Sequence, residues 1–225
     1  LAAYRQMPLA VALPENQEQA VEVIKVCQKL QVPIVPRGSG TGLSGGAMPI
    51  AQGLVLSLAK LKKIIHIDPI ARTAVVQPGV RNLAISEAVA QHGLYYAPDP
   101  SSQIACSIGG NVSENSGGVH CLKYGLTLHN VLRIRGVLMN GEIVEFGSLA
   151  PDSPGLDLLA IMMGSEGMLA VVTEVTVKLV AKPKLARVIM ASFDDIEKGG
   201  NAVAAIIAAG IIPAGLEMMD KATTR

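Results

Sequence analysis

Apolar residues recur along the chain at two periods, and the switches between them lay out the elements. Leu9–Leu13 is a short apolar run that predicts a strand. Pro14-Glu15-Asn16 then opens a helix in which Val21, Ile24, Val26, Cys27 and Leu30 recur at helical spacing, with polar Glu22, Lys25 and Lys29 between them. Pro33–Pro36 predicts a second strand and Arg37–Gly46 a glycine-rich loop. Three further strands are predicted at Leu54–Leu58, Ile64–Ile67 and Thr73–Gln77, separated by Pro69 and closed by Pro78-Gly79. Leu83–Gln91 reads as a helix ended by Gly93, and Ala97–Gly118 as a second loop with room for a short helix. Val131–Met139 and Glu142–Phe146 flank Asn140-Gly141, the signature of a hairpin with a type I′ turn. Leu156–Met163 is helical and Leu169–Val180 a long β-branched strand. Lys182-Pro183-Lys184 is the best linker. It leads to a strand at Val188–Ser192, an acidic helix start at Asp194-Asp195, and a buried Ala/Ile-rich helix across Ala202–Ile212.

Strands and helices alternate, but hairpins interrupt the series, so the fold class is α+β and not a run of βαβ units. No internal repeat is present. With 225 residues the chain holds one large domain, or one domain and the start of another. It lacks an initiator Met, and it stops at Ala222-Thr223-Thr224-Arg225 without closing an element, so both ends are expected to be cut.

Composition removes several functions. Half the residues are hydrophobic and only 16% charged, so a sizeable core is assured, built from Val, Ile, Leu, Ala and Met because aromatics are scarce. A net charge of +1 argues against a nucleic-acid surface. The densest basic cluster, Lys60, Lys62 and Lys63, reads as a solvated turn. No apolar run reaches the roughly 18 residues of a membrane-spanning helix, and no signal peptide is visible. Cys27, Cys106 and Cys121 are odd in number and lack metal-ligand spacing, which fits free thiols in a reducing compartment. Met162, Met163 and Met168 read as core.

The chemistry lies in the loops. Gly40-Thr41-Gly42-Leu43-Ser44-Gly45 satisfies G-x-G-x-x-G, but no helix opens at its third glycine and lysines occupy the region where an acidic residue should follow. That argues against a nicotinamide Rossmann site. What remains from Gly38 to Gly46 has almost no side-chain bulk. Its consecutive N–H groups can converge on an anion, with hydroxyls as further donors. Arg37 at its entrance adds charge or serves as a structural cap. The second loop runs Pro98-Asp99-Pro100-Ser101-Ser102, Ile108-Gly109-Gly110-Asn111 and Asn115-Ser116-Gly117-Gly118. Its two glycine pairs suit a planar ring lying against backbone. Two glycine-dense segments between strands suit the two halves of a large dinucleotide.

These motifs carry a resemblance. Pro36 to Gly46 resembles the pyrophosphate loop of the vanillyl-alcohol-oxidase-type (PCMH-type) FAD-binding oxidoreductase family. Pro98 to Asn111 resembles its isoalloxazine-side loop, and Gly164-Ser165-Glu166-Gly167-Met168-Leu169 its adenine-side signature. Val76 to Asn82 and Gly215 to Asp220 resemble the FAD-linked subunit of glycolate oxidases, close to D-lactate and D-2-hydroxyglutarate dehydrogenases.

The resemblance implies a two-subdomain α+β FAD-binding domain at 1–182, divided near residue 70, with 183–225 opening a substrate-binding cap. Carried over by position, Gly38, Ser39, Gly40, Thr41, Gly42, Leu43 and Ser44 hold the pyrophosphate beside Arg37. Pro98, Asp99, Ser102, Cys106, Ile108, Gly109, Gly110, Asn111, Ser113, Asn115, Gly117, Gly118 and Tyr124 lie on the flavin side. Glu166, Gly167 and Val172 sit by the adenosine. Thr41 stands where some relatives attach FAD through His, so the FAD is expected to be non-covalent. Ala170 replaces a usual Gly and departs from the third motif.

The implied activity is oxidation of a small 2-hydroxyacid, glycolate or D-lactate, to the 2-oxoacid. Further glycolate oxidase subunits, an iron–sulfur subunit among them, are implied as partners. The implied location is cytoplasmic, including attachment to the inner face of the membrane. A non-catalytic flavin subunit of the same complex is the alternative. A cell-wall reductase of the superfamily is disfavoured because no nicotinamide site is visible. No metal site is found in this chain, and a divalent ion is expected only in the cap. His66, His92 and His129 read as structural, and His120 as the one histidine near the flavin. No catalytic base is named, because the segment expected to hold it is absent, and apolar surface left uncovered predicts self-association.

Overall fold

The computed structural model of the chain describes residues 5–150 and 155–223. Thr224 and Arg225, on which the reading of a cut C-terminus partly rests, lie outside them. Strand β1 (Ala10–Ala12) leads into helix α1 (Gln17–Lys29), which crosses to β2 (Ile34–Arg37). Asn16 caps α1 by accepting from the Gln19 N–H at 2.8 Å. The buried stripe of α1 is Ala20, Val21, Ile24 and Cys27. Val26 and Leu30, read from the sequence as part of that face, are exposed. Val26 stands about 200° around the helix from Ile24, and Leu30 is already the C-cap.

β3 (Leu54–Ser57) lies between β1 and β2, parallel to both, with Val55 opposite Val11 and Val35. Parallel neighbours need a crossover of a dozen or more residues, usually a helix. Between β2 and β3 that crossover is the helix-free glycine-rich segment 38–53. The topology therefore sets bare backbone at the end of β2.

β4 (Ile64–Asp68) and β5 (Thr73–Val76) begin a second sheet. Helix α2 (Asn82–Val89), the short strand β6 (Leu94–Tyr95), and helices α3 (Ile108–Glu114) and α4 (Cys121–Tyr124) follow. β7 (Val131–Val137) and β8 (Ile143–Gly147) then pair as a hairpin. Helix α5 (Leu158–Met162) and β9 (Val171–Lys178) complete the sheet, which is antiparallel in the order β4-β5-β9-β7-β8. β4 thus pairs with β5, although it precedes the subdomain division expected near residue 70. The central strand β9 is buried at six of its eight positions, which its Val/Thr-rich sequence suits. Val76, Ile85, Val89, Ile108, Val112, Ile134 and Val175 form the main core beneath α2 and α3. A second cluster joins Ile24, Leu56, Leu58 and Leu61 to Val137 and Val171, and so ties the two sheets together.

The Asn140-Gly141 hairpin closes through a different turn from the one expected. Gly141 N–H donates to the Leu138 carbonyl at 2.9 Å, and only Gly141 has positive φ, at 82°. The Asn140 side chain accepts from the Glu142 N–H at 2.9 Å, which holds Asn140 itself at negative φ. The result is a turn followed by a left-handed glycine, not type I′. α5 is shorter than the sequence suggests because Asp157 caps it, accepting from the Ala160 N–H at 3.0 Å.

Past β10 (Val180–Ala181), which pairs with β6, the expectations fail more often. Val188–Ser192 forms no strand, since no strand among the described residues lies beside it. Val188, Ile189 and Met190 are more than 90% exposed. Helix α6 (Ile196–Ala208) forms under an Asp195 cap but buries only Gly199, so it is not the buried helix expected across Ala202–Ile212. Met168 is exposed while Met162 and Met163 are core.

Candidate functional site

A cavity of about 300 Å³ lies where three segments far apart in sequence converge: 36–47, 100–116 and 166–172. Backbone hydrogen bonds hold them. Glu166 N–H donates to the Ser113 carbonyl at 2.8 Å and Gly164 N–H to that of Val112 at 3.0 Å, so the third segment is laced to the last turn of α3. Ile108 and Gly109 N–H groups donate to the Val80 and Pro78 carbonyls at 2.8 and 2.9 Å, which seats the start of α3 against the turn between β5 and α2. The first segment is buckled by Arg37, whose Nη1 donates to the Ala47 carbonyl at 3.0 Å. Arg37 is therefore both a wall residue and a structural cap.

Of the residues singled out in the sequence, Arg37 to Ser44, Ser102, Cys106, Gly109, Gly110, Asn111, Ser113, Glu166, Gly167 and Val172 line this cavity. Pro98, Asp99, Ile108, Asn115, Gly117, Gly118 and Tyr124 stand off its wall. Ile108 is core, fully buried. Asn115 spends its side-chain oxygen on the Leu128 N–H at 3.0 Å, and Tyr124 packs edge-on against Tyr95. Asp99 is paired with His120. His129 accepts from the Leu126 N–H within its own turn, and His66 and His92 are exposed. The wall also includes Pro78, Ser107, Glu114, Ser116 and Ala170, which were not among the residues chosen as cofactor-binding. Ser107 and Glu114 lie either side of the glycine pair in sequence but carry no ligand signature of their own.

The wall has two chemistries. One side is backbone: a Cβ on Gly38 would collide with the Ser107 hydroxyl, and one on Gly42 with the Glu114 carboxylate. The other side is acidic. Glu166, held at a φ of 54°, brings its carboxylate to 2.5 Å from where a Cβ on Gly46 would stand. Burial, and then the charge of Glu166, push the Glu114 carboxyl up from its ordinary value. Arg37 is the one basic residue among those lining the cavity. An anion here is met by peptide N–H groups, while the carboxylates suit hydroxyl donors.

Two buried polar atoms on the wall lack partners: Ser107 Oγ and Asn111 Nδ2, in residues no more than 4% exposed. A buried polar group without a hydrogen bond costs about 1–3 kcal/mol, so such atoms at a cavity wall mark where a ligand's polar groups belong. Among the described residues no cluster of His, Cys, Asp and Glu is suited to a metal ion. No helix among them is long and apolar enough to cross a membrane.

Glycine backbone, orphaned polar atoms and paired carboxylates around one cleft describe a dinucleotide site on an α+β fold. Residues 8–147, more than half the chain, match the family model of the FAD binding domain, and the chain belongs to that family. Residues 182–225 match the C-terminal domain of FAD linked oxidases.

The particular relatives are glycolate and lactate enzymes. The chain is 64% identical to the glycolate oxidase subunit GlcD of Escherichia coli, over all of this chain and 45% of that protein. It is 47% identical to the GlcD subunit of Bacillus subtilis, over 98% of this chain and 47% of the other. Against a D-lactate dehydrogenase of Archaeoglobus fulgidus the identity is 36%, over 94% and 47%. The chain thus spans about half the length of the curated relatives it matches. A solved alkyldihydroxyacetonephosphate synthase shares the fold, with a TM-score of 0.78 at 22% identity over 91% of this chain and 38% of that one. FAD is the cofactor of the family, and the cavity fits such a group: Ser107 Oγ and Asn111 Nδ2 stand on its wall without partners, and the glycines keep that wall free of side chains.

Proposed function

We propose that the chain is the FAD-binding part of a flavin-dependent oxidoreductase that converts a small 2-hydroxyacid, glycolate or D-lactate, into the 2-oxoacid. The observation that carries this reading is 64% identity to a glycolate oxidase subunit along the whole chain. Residues 1–182 make the FAD-binding domain and 183–225 open the substrate domain. The N–H groups from Gly38 to Ser44 hold the pyrophosphate. Gly109, Gly110 and Asn111 present backbone and one amide to the flavin, with Ser107 as an added donor. Glu166, Gly167 and Val172 adjoin the adenosine. With Thr41 in the first loop, the cofactor is held without a covalent bond. FAD supplies the acceptor for the hydride lost from the α-carbon. The described residues hold and orient it and keep water from one face, while the base for the hydroxyl proton belongs to the remainder of the protein. Further subunits complete the complex, attached at the inner membrane face.

The test is anaerobic mixing of the full-length, FAD-loaded protein with glycolate, D-lactate and D-2-hydroxyglutarate while the visible flavin bands are followed. Bleaching by glycolate or D-lactate is the expected result. A flavin that stays oxidised with all three overturns the proposal.

A further inference from the structure

A half-buried pair stands beside the cavity, on the loops that form its flavin side. One oxygen of Asp99 lies 2.6 Å from His120 Nδ1, and the other accepts the His120 N–H at 3.1 Å. The Asp99 side chain is 17% exposed and that of His120 39%. Both carboxylate oxygens are thus given to a single residue, which fixes the imidazole ring with Nδ1 toward Asp99 and Nε2 turned away. Nε2 has no hydrogen-bond partner among the described residues, and the ring is open enough for a ligand to reach it. Tyr124 lies beside it, with ring centroids 6.3 Å apart, and the Lys123 ammonium lies 5.7 Å from the Tyr124 ring.

Two further contacts give this ring a place in the site. Asp99 is followed directly by Pro100, Ser101 and Ser102, all on the cavity wall. Gly118 packs against the Asp99 backbone so closely that a Cβ would overlap its carbonyl. The pair is therefore tied rigidly to the wall. The other contact comes from the residues that match the oxidase C-terminal domain. A Cβ on Gly215 would stand 2.5 Å from Val119 Cγ1 and 3.0 Å from the Val119 carbonyl. His120 consequently lies at the seam between the flavin-side loop and the substrate-domain segment.

Resting on the function proposed above, we propose that His120, oriented by Asp99, binds the carboxylate of the 2-hydroxyacid. In its protonated form the ring presents Nε2–H as a charged donor, matched in sign and geometry to a small carboxylate. Asp99 is a positioning residue: it touches no substrate and sets the direction of Nε2.

The experiment compares the full-length, FAD-loaded wild type with H120A, H120Q and D99N. Flavin bleaching is followed against hydroxyacid concentration, and FAD affinity separately by flavin fluorescence. H120A is expected to raise KM by about ten- to a hundredfold, the range for a lost charge-assisted hydrogen bond, and far more than it lowers the limiting rate. H120Q keeps an N–H donor and recovers part of that loss, and D99N falls between. FAD affinity stays within about twofold of wild type in all three, since none of the altered side chains lines the cavity. An unchanged KM in H120A overturns the proposal, as does a fall in limiting rate at constant KM. A loss of FAD affinity as large as the rise in KM assigns the pair to the cofactor loop and overturns it also. If wild type is bleached by no hydroxyacid, the functional reading itself is what fails.

Discussion

Gly109 and Gly110 are neighbours in the first turn of α3, and the structure gives them opposite tasks. A Cβ on Gly109 would lie 2.5 Å from Pro78 Cβ and 3.1 Å from the Pro78 carbonyl, atoms of a ring and a backbone that cannot swing aside. Overpacking of this kind costs about 1–3 kcal/mol, and the rigid neighbours argue for the upper end. Replacing a helical glycine by alanine returns up to about 1 kcal/mol. G109A is therefore expected to lose about 2 kcal/mol, which in a chain of this size lowers Tm by about 4–8 °C. A Cβ on Gly110 meets only the Ser107 hydroxyl, at 3.3 Å, a group free to rotate because it has no partner. G110A keeps the propensity gain and is expected to raise Tm by about 2–4 °C. Its methyl group nevertheless stands on the cavity wall, and FAD affinity should fall by about tenfold or more through the same overpacking cost. Differential scanning calorimetry of the FAD-free proteins and quenching of flavin fluorescence measure the two effects. The signature is a variant that is more stable and binds FAD less well. G110A protein with wild-type FAD affinity, or G109A protein with wild-type stability, would refute the reasoning.

Two further outcomes follow from the same wall. Ser107 Oγ is buried without a partner, so S107A should leave the FAD-free Tm unchanged or slightly higher while weakening FAD binding by about fivefold or more; a lower Tm would mean that the hydroxyl already has a structural partner. Glu114 is shifted upward, by burial first and Glu166 second, from its ordinary value of 4.5. A carboxyl raised on folding contributes its stability below about pH 4.5 and loses it as pH rises through the higher folded value. E114Q is thus expected to exceed wild type in Tm at pH 7 and to match it near pH 4, and a difference that stays constant across that range would contradict the assignment.

Element order and the cofactor were legible in the sequence because both are written locally. The helical recurrence of Val21, Ile24 and Cys27 and the β-branched run of β9 are periodic patterns. The glycine loops declare themselves by the absence of side chains. Other features depend on partners distant in sequence. Val188 to Met190 have strand composition, but a strand needs a neighbour, and none among the described residues lies beside them. Asn115, Gly117 and Gly118 belong to the same motif as Asn111, yet α3 ends at Asn115 in a left-handed cap and turns them off the wall. Ser107 and Glu114 carried no ligand signature of their own. They became wall residues only when the Glu166 N–H met the Ser113 carbonyl and the Gly109 N–H met that of Pro78. The joining of Asp99 to His120 is likewise a tertiary event. Sequence alone determined which segments could bare their backbone to a dinucleotide. Tertiary structure decided which atoms line the cavity, because the direction of a loop side chain is set by long-range hydrogen bonds that no local period encodes.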